Sequence, residues 1–252
     1  MTRISKLGAV AVAVAVAAIA APSWADTVKI SGASTVFNVV VKPTQDKVMK
    51  SSGHTLEITN SNTGKGLADL TAGSVNLSMV SEPMDIAVEA AVAGGAKVDA
   101  KAIQFHEVRK DEIVFAVHPN NPVGKLTWEQ IGAIQTGKIT NWKEVGGKDL
   151  AIVVYTENPT GGTRAMVKKI VNGGVEFSAQ AKPQTSVKRV AELVAGDEAG
   201  IGAVGRGFAA EAKTKVVDTK KLERPLGFAS LGAPSPAAKA VIDAFIRETK
   251  AL

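Results

Sequence analysis

The 252-residue sequence contains no cysteine. This excludes thiol nucleophiles, disulfide exchange and Cys-ligated metals, and leaves packing alone to hold the fold. Aromatic residues make up only 4% of the chain. Beyond residue 25 the bulky polar aromatics are Trp128, Trp142 and Tyr155. These are too few to line a carbohydrate cleft or stack a nucleic-acid strand, and the two Trp are expected to fill gaps in the core. The three His residues, His54, His106 and His118, lack the spacing that a metal motif requires. No metal and no cofactor are therefore expected. Basic residues such as Lys47, Lys50, Lys168, Lys169, Lys220 and Lys221 are scattered and form no run, so no nucleic-acid partner is expected.

Long apolar runs are also missing, except at the start. Arg3 and Lys6 precede an apolar stretch from Leu7 to Ala21, Pro22 breaks it, and Ser23-Trp24-Ala25 supplies small residues at the cleavage-site positions. The run is shorter than the roughly 20 residues that span a bilayer. It reads as a signal peptide over residues 1–25, cleaved after Ala25 for export to the periplasm, with no membrane span in the mature protein. The whole chain carries a formal charge of +6. Both charged residues of the leader are basic, so +4 remains on the mature chain, a mild bias toward an anionic small ligand.

Short apolar strands alternate with amphipathic helical stretches after the leader. Val28-Lys29-Ile30, Leu56-Glu57-Ile58, Asn76–Val80, Glu112–His118 and Ala151–Tyr155 read as strands. A helix is expected from about Ser34 to Lys50, and another over Trp128–Ile134. Val187, Val190, Ala191 and Val194 fall at i, i+3, i+4 and i+7, as do Ala238, Val241, Ile242 and Phe245, each set making one helix face. The alternation predicts an α/β fold of mostly parallel sheets flanked by helices.

Three of these strands run into small-residue turns that open a helix. They are Ser31-Gly32-Ala33-Ser34-Thr35, Ser61-Asn62-Thr63-Gly64-Lys65-Gly66 and Thr160-Gly161-Gly162-Thr163. One such turn is an ordinary helix cap. Three of them, at the carboxyl ends of strands, read as one anion cradle, because helix N-termini offer unpaired N–H groups and hydroxyls add donors.

The middle of the chain resembles a known family. Asn121-Pro122-Val123, Leu126-Thr127, Glu129-Gln130-Ile131 and the long stretch Gly137-Lys138-Ile139-Thr140-Asn141-Trp142-Lys143-Glu144-Val145-Gly146-Gly147 are similar to the second lobe of phosphate-binding proteins of ABC importers. Ser31–Val36, Ser61–Gly66, Val80–Met84 and Gly162-Thr163-Arg164 resemble that family's ligand loops in order, and Gly200–Gly205 its returning strand. The resemblance implies a two-lobed type II periplasmic binding fold. Lobe one would hold residues 26–112 and 210–252, and lobe two residues 113–209. It implies a non-enzymatic monomer that closes on a phosphate-like oxyanion and is read by ABC permease subunits. The contacts implied are Ser34, Thr35, the N–H of Val36, Ser61 or Thr63, Ser81, the N–H groups of Gly161 and Gly162, and Thr163. Arg164 is either a further contact or an exposed helix residue. Asp111 is placed to brace a strand between the lobes.

Three positions depart from the family pattern. Glu157 stands where an Arg is usual, Gly161 where a Ser is usual, and Glu82 where many members have Arg or Asp. Two unit charges about 4 Å apart repel by about 4 kcal/mol at an effective dielectric near 20, enough to matter to any dianion. Either Glu157 turns outward to pair with Lys168 or another base, or it accepts the proton of a singly protonated oxyanion, or the pocket takes a cationic or hydroxylated ligand. A sensor subunit and an exported phosphatase-like enzyme are the other functions compatible with these motifs, although no base partner for Ser34, Thr35 or Thr163 is visible.

Overall fold

The computed structural model describes residues 25–250, so the expected signal peptide lies almost wholly outside the described residues. The first expected turn is built as read. β1 (Thr27–Ala33) leads into α1 (Ser34–Val36), a π-helical turn over Phe37–Val41 and α2 (Lys42–Ser52). Gly32 makes that exit possible. Its φ is +132°, and a Cβ there would run into the backbone of Met79. Next come β2 (Thr55–Ser61), α3 (Thr63–Thr71), β3 (Leu77–Val80), α4 (Met84–Ala93) and the long β4 (Ile103–Val117).

The remaining elements are α5 (Trp128–Gln135), β5 (Val153–Glu157) and α6 (Gly162–Met166), which continues into a second π-helical turn over Val167–Val171. They are followed by β6 (Lys182–Gln184), α7 (Val187–Ala195), β7 (Gly200–Gly205), α8 (Arg206–Glu211), β8 (Lys215–Val216), β9 (Leu222–Leu231) and α9 (Pro236–Thr249).

Among the described residues the strands form one continuous sheet, in the order β2-β1-β3-β9-β4-β7-β5-β6, with β8 on β4. The expectation of two mostly parallel sheets is corrected here. Parallel pairing is confined to the flanks, where β1 meets β2 and β3, and β5 meets β6 and β7. The centre is antiparallel, through β3–β9, β4–β9 and β4–β7. The cause is β4, which pairs with β9 over Ile103–Ile113 and then with β7 over Ile113–Val117, joining the flanks into one surface. Only the last five residues of β4 are fully buried. The preceding stretch is half-exposed and carries a register shift between Glu107 and Arg109, which breaks the alternation that marks a strand in sequence.

Apolar residues cover both faces of each flank. One cluster joins Val28, Ile30, Val40 and Val48 to Phe228, Val241 and Phe245, and another joins Leu67 and Leu70 to Val80 and Ala87. On the other flank Ile113, Phe115 and Val117 face Ile131, Trp142 and Val167, while Val114 and Ala116 face Val187, Val190 and Val194. Successive residues of β4 thus serve opposite faces, as strand geometry demands. Trp142 fills the core as expected, 1% exposed, with its indole N–H on the Ala199 carbonyl. β8 pairs with Ala116 and Val117, and Val217 and Leu222 lie in the same cluster as Ile113, so residues 215–222 pack with the middle of the chain.

Candidate functional site

The three small-residue turns meet where the two flanks of the sheet touch. Asn62 caps α3, accepting from the Lys65 N–H at 2.9 Å, and lies 3.1 Å from the Thr160 hydroxyl of the third turn. The Gly64 N–H donates to the Thr160 carbonyl at 3.3 Å. Ser34, Thr35, Val36, Thr63, Ser81, Gly162 and Thr163 are all buried. The Ser34 hydroxyl has no hydrogen-bond partner there.

Binding the turns together is Arg224, on β9. Its side chain is fully buried and donates to Thr163 Oγ1 at 2.8 Å, with Thr35 Oγ1 at 3.5 Å. Asp111 on β4 accepts from the same guanidinium at 2.8 and 3.0 Å, and so braces the centre of the sheet as anticipated. Sequence reasoning missed Arg224. The signal was present in the alternation of Leu222, Arg224 and Leu226, where Arg224 takes an inward position between two buried leucines.

Glu157 does not turn outward. It is 6% exposed and accepts from the Thr163 N–H at 2.9 Å, so the first of the three sequence-based resolutions is overturned. Lys168 pairs instead with Glu176, at 2.8 Å. A carboxylate at the opening of a helix is favoured by the unpaired N–H groups there, which gives Glu157 a reason to face inward. Two departures from the family pattern also explain each other. A Cβ at position 161 would come within 2.6 Å of Glu157 Oε2, so the glycine makes room for the glutamate. Burial raises the Glu157 carboxyl above its ordinary range, opposed by the charge of Arg224 and by the Thr163 N–H.

Glu82 faces the same point from the other side. Its Oε2 accepts from Ser81 Oγ at 2.9 Å and from the Ser81 N–H and Thr63 Oγ1 at 3.1 Å each. Its Oε1 is buried without a partner. Burial pushes this carboxyl up to about 7, aided by the charge of Glu157 and opposed by the Ser81 and Thr63 hydrogen bonds and by Arg224.

Three expected contacts stand apart. Arg164 points away from the site, with its guanidinium 2.8 Å from Glu176 and 4.4 Å above the Phe177 ring. There it lines a separate cavity of about 330 Å³ with Ile86, Ala90, Thr160 and Lys169. Ser61 lies at the end of an outer strand, 3.5 Å from the Ser31 hydroxyl. The Gly161 N–H is already given to the Asn158 carbonyl at 2.9 Å. Among the described residues no group of three or more His, Asp or Glu could hold a metal ion, and no helix is long and apolar enough to cross a membrane.

A family model described as a PBP superfamily domain matches residues 17–247, nearly the whole chain, and the chain belongs to that superfamily. It is a distant homologue of phosphate-binding proteins. The phosphate-binding protein PstS of Bacillus subtilis is 28% identical over 173 residues, which are 69% of this chain and 55% of that protein. The chain spans 55–60% of the length of the first curated relatives it matches. A Clostridium perfringens protein assigned as a phosphate ABC transporter substrate-binding protein, with bound phosphate, superimposes with a TM-score of 0.74 at 26% identity, over 86% of this chain and 92% of that one. An ABC-type phosphate transport receptor from Vibrio cholerae gives a TM-score of 0.66 at 20% identity, over 89% and 95%.

Proposed function

Proceeding from that membership, we propose that this chain is a periplasmic solute-binding protein that captures phosphate or a related oxyanion between two lobes for an ABC importer. The observation that carries this reading is Arg224, a buried cation that touches Thr163 of one turn and Thr35 of another, beside the unpartnered Ser34 hydroxyl. A guanidinium and converging hydroxyls suit a tetrahedral oxyanion. Ser34, Thr35, the Val36 N–H, Thr63, Ser81, the Gly162 N–H and Thr163 are the ligand contacts in this proposal, with Arg224 added, Arg164, Ser61 and Gly161 removed, and Glu157 kept as the acceptor of the proton on a singly protonated oxyanion. Lobe one comprises residues 26–112 and the chain from about 223 onward. Lobe two comprises residues 113–222. Closure is a hinge motion about the strands β4 and β9 that the lobes share. Catalysis is not part of this reading, which asks only for donors that hold the anion and for no activated nucleophile.

A second reading keeps the fold and changes the ligand. It is favoured by Glu82 Oε1, a buried acceptor without a donor, with Glu157 nearby. A ligand bearing an ammonium or hydroxyl group would supply that donor. A thermal-shift screen of the protein with phosphate, arsenate, sulfate, molybdate, phosphonates and organic cations separates the two, because only ligands that bind the native state raise its melting temperature. Saturable stabilisation by phosphate or another oxyanion is expected. Stabilisation by organic cations, with none by oxyanions at millimolar levels, would select the second reading.

A further inference from the structure

The oxyanion donors of Thr63 and Ser81 are not idle. Thr63 Oγ1, the Ser81 N–H and Ser81 Oγ all lie within 3.1 Å of one oxygen, Glu82 Oε2. Three donors focused on a single point form the pattern that an external oxyanion would draw. The same carboxylate reaches the opposite side of the site, where a Cβ added to Gly162 would overlap it. Its other oxygen, fully buried, has no partner, so the group is held by the donors of one oxygen alone.

We propose that Glu82 is a tethered occupant of the oxyanion site, which sets ligand affinity by competing with the incoming anion for the donors of Thr63 and Ser81. The proposal rests on the oxyanion reading above. It makes Glu82 a determinant of affinity and specificity, and not one of the residues that hold the ligand. The ligand must take the three donors from the carboxylate, and a charged carboxylate nearby also repels it. Facing Glu82 are Thr63 on α3, Gly162 on α6, Glu157 on β5 and Arg224 on β9, with Asp111 on β4 behind the arginine. Arg224 is shared with Asp111 and does not cancel the two glutamates. Once protonated, Glu82 neither repels an anion nor binds the donors strongly, so competition weakens as pH falls through about 7.

The test is calorimetric titration of inorganic phosphate into the wild-type protein, Glu82→Gln and Glu82→Ala at pH 5.5, 7 and 8.5. Phosphate's own ionisation is common to all three proteins, so the ratio of their affinities isolates Glu82. At pH 8.5 both variants are expected to bind at least tenfold more tightly than wild type, with the gap for Glu82→Gln closing to about twofold at pH 5.5. Equal or weaker binding by variants with a cooperative thermal transition would overturn the proposal. Weaker binding would make Glu82 a direct ligand contact, and equal binding would make it a bystander. Phosphate binding by the wild type with no pH-dependent gap sinks this inference and leaves the oxyanion reading standing. The absence of binding by all three proteins at every pH sinks both.

Discussion

Two clusters of the same residue types lie close together in this protein, and they behave in opposite ways. In the buried one, Glu82 and Glu157 share the single cation Arg224 with Asp111, and the carboxyl of Glu82 is pushed up to about 7. In the outer one, Glu176 takes both Arg164 and Lys168, each at 2.8 Å. Partial burial works against the charge of Glu176, yet hydrogen bonds from Lys168, the Phe177 N–H and Arg164 hold it down at about 2. Burial and the ratio of cations to carboxylates decide the outcome. Where carboxylates outnumber cations in a dry site, one proton is easily accepted. Where cations outnumber them at the surface, the pair is settled and has little work left to do.

The largest expected effect contrasts the two arginines. Arg224→Met leaves Asp111 and both glutamates without their cation and should cost about 3–5 kcal/mol in stability, with oxyanion binding lost. Arg164→Met removes a pair whose acid is solvent-exposed, and should cost no more than about 1 kcal/mol while leaving binding intact. Urea unfolding and the thermal-shift screen measure both. Equal costs would erase the distinction between the clusters.

Glu82→Gln tests the buried carboxylate directly. Its folded-state value of about 7 is raised from 4.5, so the stability that the protonated group contributes is fully present below pH 4.5 and is lost as pH rises through 7. The glutamine variant should therefore gain on wild type across that window, by about 3 kcal/mol at pH 8. Parallel stability profiles from pH 4.5 to 8 would contradict the raised value. Gly162→Ala should cost about 1–3 kcal/mol by forcing the Glu82 carboxylate aside. Adding Glu82→Ala should remove most of that cost, a coupling that a double-mutant cycle reads. The smallest effect is Glu176→Gln, for which the sign reverses. The depressed value of Glu176 contributes stability above pH 4.5 that is lost as pH falls toward 2, and for a group this exposed the change should stay below about 1 kcal/mol.

Much of this arrangement could be read locally. The helix faces of α7 and α9, the strands β1 to β3 and the turns at Ser34, Thr63 and Thr163 lie close to where periodicity and turn chemistry put them. Each is a property of a few neighbouring residues. Glu157 and Glu82 were recognisable as anomalies, since a carboxylate in an anion cradle contradicts simple charge matching. Their direction was not readable, because it depends on Gly161, on Gly162 and on donors that other elements supply, Thr63 on α3 for Glu82 and the Thr163 N–H on α6 for Glu157. The first two-thirds of β4 escaped notice because it is half-exposed and bulged, and is held by β9 more than by its own pattern.

The small-residue turns, the alternation of strands and helices, the absence of thiol chemistry and the two misplaced carboxylates are written in short stretches of the chain. These depend on short-range sterics, hydrogen bonding and composition. Only folding runs one sheet through the described residues, turns Arg164 to the outer cluster with Glu176 and brings Arg224 into the site. Arg224 meets Thr163 across 61 residues and Thr35 across 189. No local pattern encodes a contact made only when antiparallel β4 and β9 carry the end of the chain back between the turns.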